Sequence, residues 1–366
     1  MRRPTHPSRV IQSLRVRAAR ATSFVLLSLA AACGGNGTPG GPSSPTPPPG
    51  TPVSGFVFYD ENANGIADPN ETMRLPGVTV AIGSASAQTT AGGRVTVSSV
   101  LPGAQAASLR PDTLPVYFTA GASVLVTVPQ AAGTEIAVPA TLAIGSRNRP
   151  RVYMAFGDSI TYGGDGSNDG SGYRDYLRAS LASYWGSSHD VPNEGVPATK
   201  SNEGESRMTL TLARVRPAYT LILYGTNDWN ECRSQVPDVP CYTIVSLRSM
   251  VQQCRDGGSF PVLGTIPPVN PAYVDKPQTE RNDWVRRMND EIRAMAKQQQ
   301  VPVADIYDAF MKKGDLPSLF FDDKHPNETG YALIAQVWLR AITQPLGAST
   351  SRRGLPAFFA SPREFQ

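Results

Sequence analysis

The segment RVYMAFGDSI, residues 151–160, decides the fold. An unbroken apolar run from Val152 to Phe156 stops at Gly157-Asp158-Ser159. A short apolar run closed by a turn reads as a strand buried on both faces. The plan recurs downstream: AYTLILYG at 218–225 ends on GTND, and FPVLGTI at 260–266 and VPVADI at 301–306 follow, with HDVPN at 189–193 as a short fifth strand. Helical patterns intervene at about 173–184, 203–215, 243–255, 280–299 and 328–343. Strands alternating with helices predict a parallel sheet covered on both faces, an α/β fold with its site at the carboxyl ends of the strands.

Three segments carry chemistry, two of them at such strand ends and the third in the loop before the last helix. FGDSI holds Ser159, YGTND holds Asn227, and DDKHP holds Asp322 and His325. A serine hydroxyl is a weak nucleophile at neutral pH, so it needs an imidazole to take its proton and a carboxylate to fix that imidazole's tautomer. Asp322 and His325 are close enough for a tight turn to pair them. The Asn227 amide can donate to the oxygen of a tetrahedral intermediate, and losing one such donor costs about 100 to 1000 fold in rate. The chain's histidines are His6, His189 and His325. His6 lies in a leader and His189 opens a strand, which leaves His325 as the base of any serine mechanism.

From 151 to 341 these segments resemble the SGNH (GDSL-type) hydrolases, which share a GDS serine, a glycine in an NxG stretch, an asparagine in GxND and a DxxH pair. The resemblance implies a three-layer, flavodoxin-like α/β fold with a parallel five-stranded sheet. It implies Ser159 as nucleophile, His325 as base, Asp322 as its orienting acid, and an oxyanion hole from Ser159 N–H, Gly195 N–H and the Asn227 amide. It implies ester hydrolysis with no catalytic cofactor. The glycine block departs from the family pattern, since Ala198 stands where a second glycine is expected, and Asn202–Gly204 is a rival for the Gly195 role. The GxSxG elbow of α/β-hydrolases is absent around Ser159, so a looser turn is expected there.

The 366 residues suit about two domains. The formal charge of +4 owes six arginines to the first 20 residues, and without them it is near −2, which argues against a nucleic-acid partner. Residues 1–32 read as a bacterial export signal whose apolar stretch, ATSFVLLSLAAA, is too short to span a bilayer. The following Cys33 resembles a lipoprotein lipidation site, with ordinary cleavage and secretion as the alternative. Residues 33–52, rich in Gly, Pro, Ser and Thr, read as a tether. Contact with a membrane is expected only through that anchor, at a cell surface or in a periplasm.

Between 53 and 145 short strands such as SGFVFYD, GVTVAIG, GRVTVSS, PVYFTA and SVLVTVP predict a small all-β sandwich. Asp60, Asn62, Asn64, Asp68 and Glu71, with Gly65 at position 6, match a twelve-residue calcium loop in strand-like flanks. An Asx-rich turn without metal is the alternative. Residues 53–101 resemble the calcium-stapled SdrD B-like or Cna B-like surface domains, which implies a structural ion.

In an oxidising compartment Cys232 and Cys241, which flank RSQVPDVP, are expected to pair and stiffen a wall of the site, with Cys254 a buried thiol; bonds to Cys254 are the alternative. Trp284, Met288, Ile292 and Met295 recur at helical spacing and predict a core face. Trp229 and Tyr162 suit either an acyl pocket or plain packing. The hydrolase domain is expected over 150–345 and a tail without periodicity over 346–366. The resulting expectation is an exported serine esterase for acetyl or short-chain esters. Polysaccharide deacetylase, lysophospholipase or broad esterase, and a non-catalytic polysaccharide-binding lipoprotein all stay open.

Overall fold

A computed structural model describes residues 50–233 and 241–346. Cys33, the proposed leader and tether up to residue 49, most of the Pro-rich segment after Cys232, and the tail from 347 lie outside the described residues.

The N-terminal part is built of two four-stranded sheets. Their strands are β1 (Thr51–Tyr59), β2 (Thr79–Ile82), β3 (Ala85–Gln88), β4 (Arg94–Val100), β5 (Gly103–Leu109), β6 (Phe118–Ala120), β7 (Val124–Val128) and β8 (Ile136–Leu142). The sheet orders are β4-β1-β8-β6 and β3-β2-β5-β7. Alternation along β4 turns Val95 and Val97 inward, and an irregularity at Ser99, with φ 61°, brings Val100 in as well, all three joining Val57, Val80 and Val138 in the shared core. Residues 77–83, expected as one strand, continue past a turn at Gly83-Ser84 into β3.

The C-terminal part is a parallel five-stranded sheet of β9 (Arg149–Gly157), β10 (Asn193–Gly195), β11 (Pro217–Leu223), β12 (Phe260–Gly264) and β13 (Val303–Ala304), ordered β10-β9-β11-β12-β13. Helices cover it: α1 (Ser159–Tyr162), α2 (Arg174–Trp185), α3 (Ser201–Val215), α4 (Trp229–Cys232), α5 (Thr243–Asp256), α6 (Gln278–Gln299), α7 (Ile306–Met311) and α8 (Glu328–Thr343). Strand order reverses at β9, whose carboxyl end is therefore the topological switch point where such sheets open a crevice. The expected second strand at 189–193 lies later. Asp190 and Pro192 carbonyls accept from Tyr153 and Ala155, but Pro192 has no N–H to return, and the ladder is regular only from Asn193. The last strand is cut short because Asp305 caps α7, its side chain accepting from Asp308 N–H. On α6, Trp284, Met288, Ile292 and Met295 are buried as their spacing predicts.

The β-rich part docks on the amino ends of the parallel strands. Tyr117 stacks on Phe260 at 4.3 Å and donates to the Pro261 carbonyl at 2.7 Å, while Tyr219 donates to the Val116 carbonyl at 3.1 Å. Glu61 meets Arg151 at 2.9 Å. The β-rich part thus buttresses the end of the sheet opposite Ser159. Among the described residues no helix is long and apolar enough to cross a membrane.

In the 60–71 loop, Asp60 accepts from Asn64 and Gly65 N–H, and Glu71 accepts from Glu61 and Asp68 N–H. The Asn62 and Asn64 amide nitrogens both donate to Asp68 Oδ2. Asp60 and Glu71 are buried, so the loop closes on two desolvated carboxylates. Among the described residues no three His, Cys, Asp or Glu side chains are gathered to hold a metal.

Candidate active site

Strand β9 delivers Gly157 into a crowded exit, where a Cβ would lie 2.2 Å from Thr161 Oγ1 and 2.4 Å from the Leu223 carbonyl oxygen. Only a residue without a side chain lets the chain turn there into α1. Asp158 caps that turn by accepting from Ile160 N–H at 3.0 Å. This presents Ser159 at the carboxyl end of β9, with its Oγ 2.9 Å from His325 Nε2. The other ring nitrogen, Nδ1, is 2.7 Å from Asp322 Oδ2.

Asp322 organises its own turn. Its Oδ1 accepts the N–H groups of Lys324 and His325 at 2.8 and 2.7 Å, and Phe321 N–H closes the loop on the His325 carbonyl at 2.9 Å. Burial pushes the Asp322 carboxyl up, but the bonds from the His325 ring and these two amides outweigh it and hold the group well below the usual carboxylate range. Beyond the turn Asn327 caps α8.

Two residues that position this loop were not found from sequence. Asn270 donates to the Asp322 carbonyl at 3.2 Å and its N–H to the Asp323 carbonyl at 2.9 Å, and Gln278 donates to the Asp323 carbonyl at 3.0 Å. The only hint was Asn270 following a strand in PPVN, a placement shared by countless turn residues.

Asn227 is buried, with Nδ2 donating to the Thr199 carbonyl at 3.0 Å and a second amide hydrogen left over. Its neighbour Asp228 fixes the segment from below, accepting from Ser201 N–H at 2.9 Å, Ser201 Oγ at 2.6 Å and Thr243 Oγ1 at 2.5 Å. Gly195 ends β10 opposite Gly157, and a Cβ on it would lie 2.2 Å from Tyr162 N. Its N–H donates to Asn193 Oδ1 at 3.0 Å, so Asn193 must turn away before that N–H can serve an oxyanion. Gly204, the rival, sits inside α3 against the Tyr224 ring. Ala198 adopts a φ of 62°, the left-handed region that favours glycine, where the family pattern has one.

Asp158 is buried, one of its oxygens has no hydrogen-bond partner among the described residues, and burial pushes its carboxyl up to about 7. His189 is buried beside Tyr153, and burial lowers it to about 3. Trp229 packs edge-on against Trp284 as core, whereas Tyr162 stands 46% exposed beside the site. Cys232 is bonded to Cys241 and Cys254 is a buried thiol pushed up to about 12.

Residues 155–333 match the GDSL-like Lipase/Acylhydrolase family. A relative from Bacillus subtilis (strain 168), "Uncharacterized lipoprotein YqeF", is 25% identical over 179 residues, which is 43% of this chain and 72% of that one. A lipase/acylhydrolase from Enterococcus faecalis aligns at 22% identity and a TM-score of 0.44, covering 53% of this chain and 98% of that chain. The acetylxylan esterase Axe2 of Geobacillus stearothermophilus aligns at 22% identity and a TM-score of 0.44, covering 53% and 95%. The C-terminal part of the chain is thus a domain of the GDSL-like lipase/acylhydrolase family, and the protein is a carboxylic ester hydrolase.

Proposed function

We propose that the protein is an exported serine esterase that removes acetyl or other short acyl groups through an acyl-serine intermediate, with an acetylated polysaccharide as substrate class. The reading rests on one observation: the hydrogen-bonded series Asp322, His325, Ser159 at the switch point of the sheet. Ser159 Oγ attacks the acyl carbon as His325 Nε2 takes its proton, with Asp322 holding the proton on Nδ1. The oxyanion is met by Ser159 N–H, Gly195 N–H and the second Asn227 hydrogen. His325 then protonates the departing alkoxide, and water repeats the sequence to free the acid and Ser159. Tyr162 and Val196, which flank the serine turn and Gly195 in the chain, are both exposed, and the preference for a short acyl group is part of the proposal. A lysophospholipase or broad esterase is the second reading, and chain-length preference separates the two. Acetate release from acetylated xylan and pectin, compared between wild type and Ser159→Ala, tests the reading against a non-catalytic binding protein.

Two further parts belong to this proposal. Domain limits of 53–145 and 150–345 follow the change from the β-rich part to the parallel sheet, with a leader, lipidated Cys33 and tether before them; the relative's name includes lipoprotein. Asp60, Asn62, Asn64, Asp68 and Glu71 form an all-oxygen set that suits calcium, provided the two amides present oxygen instead of the nitrogens now given to Asp68. Such an ion is structural, since the loop meets the hydrolase part through Glu61 and Arg151 at the end remote from Ser159.

A further inference from the structure

The loop that follows α1 carries a carboxylate that the triad does not use. Asp165 Oδ2 lies 3.6 Å from His325 Nε2, the nitrogen that also faces Ser159, and the Asp165 side chain is 57% exposed. The loop is built into the site. The Asp165 carbonyl accepts from Tyr331 Oη at 2.8 Å, Ser167 Oγ donates to the Gly163 carbonyl at 2.5 Å, and Gly172 N–H donates to Ser167 Oγ at 3.0 Å. Next to Asp165, Gly166 runs so close to the histidine loop that a Cβ would lie 2.1 Å from the Pro326 carbonyl oxygen and 2.9 Å from Phe321 Cβ. Phe321 is itself 62% exposed. The loop that carries this carboxylate therefore packs against the turn that carries an exposed aromatic residue, and the carboxylate lies beside one nitrogen of the catalytic imidazole.

Which half of an ester meets them follows from the chemistry. Nε2 hands its proton to the departing alkoxide, so the leaving oxygen must come within hydrogen-bond reach of that nitrogen. A group 3.6 Å from the same nitrogen therefore lines the side from which the alcohol departs. Nearby cations are otherwise engaged. Arg174 donates to the Tyr162 and Gly170 carbonyls, and Lys276 and Lys324 both pair with Asp323. Among the other acids around the triad, Asp322 accepts from the His325 ring, Glu328 from the Tyr176 hydroxyl and Asp169 from Ser171 N–H, while buried Asp158 precedes Ser159.

Resting on the esterase reading above, we propose that Asp165 and Phe321 form the subsite for the alcohol part of the ester, and that it takes a neutral polyhydroxylated ring and disfavours an anionic one. Asp165 accepts hydroxyl hydrogens from the ring, whose C–H face lies on Phe321. A negative charge on the alcohol a few ångströms from Asp165 is repelled by about tenfold in kcat/KM at low salt.

The test compares kcat/KM on an acetylated methyl xyloside, on 4-nitrophenyl acetate, and on a matched pair of acetylated galacturonate methyl ester and free acid. Wild type, Asp165→Asn, Asp165→Ser and Phe321→Ala are assayed, with thermal unfolding as the check on folding. The expected result is a fall of at least fivefold in the xyloside to nitrophenyl ratio in all three variants. The neutral-over-acid preference should shrink in both Asp165 variants and, for wild type, in high salt. Equal losses on xyloside and nitrophenyl ester, or an unchanged neutral-over-acid ratio, would overturn the subsite. Wild type that cleaves nitrophenyl acetate but no sugar ester overturns it alone, while wild type inactive on every ester overturns the esterase reading with it.

Discussion

Replacing Asp322 by Asn separates the orienting role of the carboxylate from its structural one. Asp322 Oδ1 holds the Lys324 and His325 amides at 2.8 and 2.7 Å, and an Asn oxygen can keep both bonds. Oδ2 faces His325 Nδ1 at 2.7 Å, and there the variant puts an NH2 group. A donor facing Nδ1 forces the other tautomer, with the proton on Nε2 and no lone pair directed at Ser159 Oγ. An analogous tautomer error costs about 10,000-fold in kcat, or about 5.5 kcal/mol of barrier. The variant should keep its secondary structure and lose no more than about 1–2 kcal/mol of stability, since the loop's amide bonds remain. Initial rates on 4-nitrophenyl acetate, with denaturant unfolding alongside, make the measurement. A loss below about tenfold in a folded variant would refute the assignment of Asp322 as the residue that sets the tautomer.

Three other outcomes follow. Ala198→Gly should stabilise the protein by up to about 1 kcal/mol, because φ 62° penalises a Cβ; an unchanged or lower denaturant midpoint would count against strain at that residue. Asp158 has its folded carboxyl raised to about 7, so its contribution to stability is fully present below its unfolded value near 4 and is lost as pH rises through 7. Asp158→Asn, which keeps an acceptor for Ile160 N–H, should therefore gain on wild type by a few kcal/mol at most between pH 5 and pH 8, and a pH-independent difference would contradict this. Calcium at a hundredfold excess over its dissociation constant should stabilise the protein by about 2.7 kcal/mol, reversed by chelator and absent in Asp60→Asn; identical melting with calcium and with chelator would dismiss the ion.

The parallel sheet was legible because β9, β11 and β12 are buried on both faces, and such strands announce themselves as unbroken apolar runs. Strand β5, GAQAASL, was not, because only Ala107 and Leu109 face the core and small residues carry little periodicity. Strand β8 holds Pro139, which argues against a strand in any local reading. The residues around Ser159 divide in the same way. Ser159, Asn227, Asp322 and His325 were picked out because their chemistry is scarce and each stands beside a turn after a strand or before a helix. Asn270, Gln278 and Asp165 act across 45 to 160 residues of chain, through backbone carbonyls or a single ring nitrogen, and no local pattern records such partners.

Acetate release by wild type and Ser159→Ala, measured side by side on acetylated xylan, acetylated pectin and 4-nitrophenyl acetate, tests the central claim most directly. The account predicts turnover by wild type on at least one of these and a loss of at least about a thousandfold in the variant. Equal, slow release by both proteins on every substrate would contradict it.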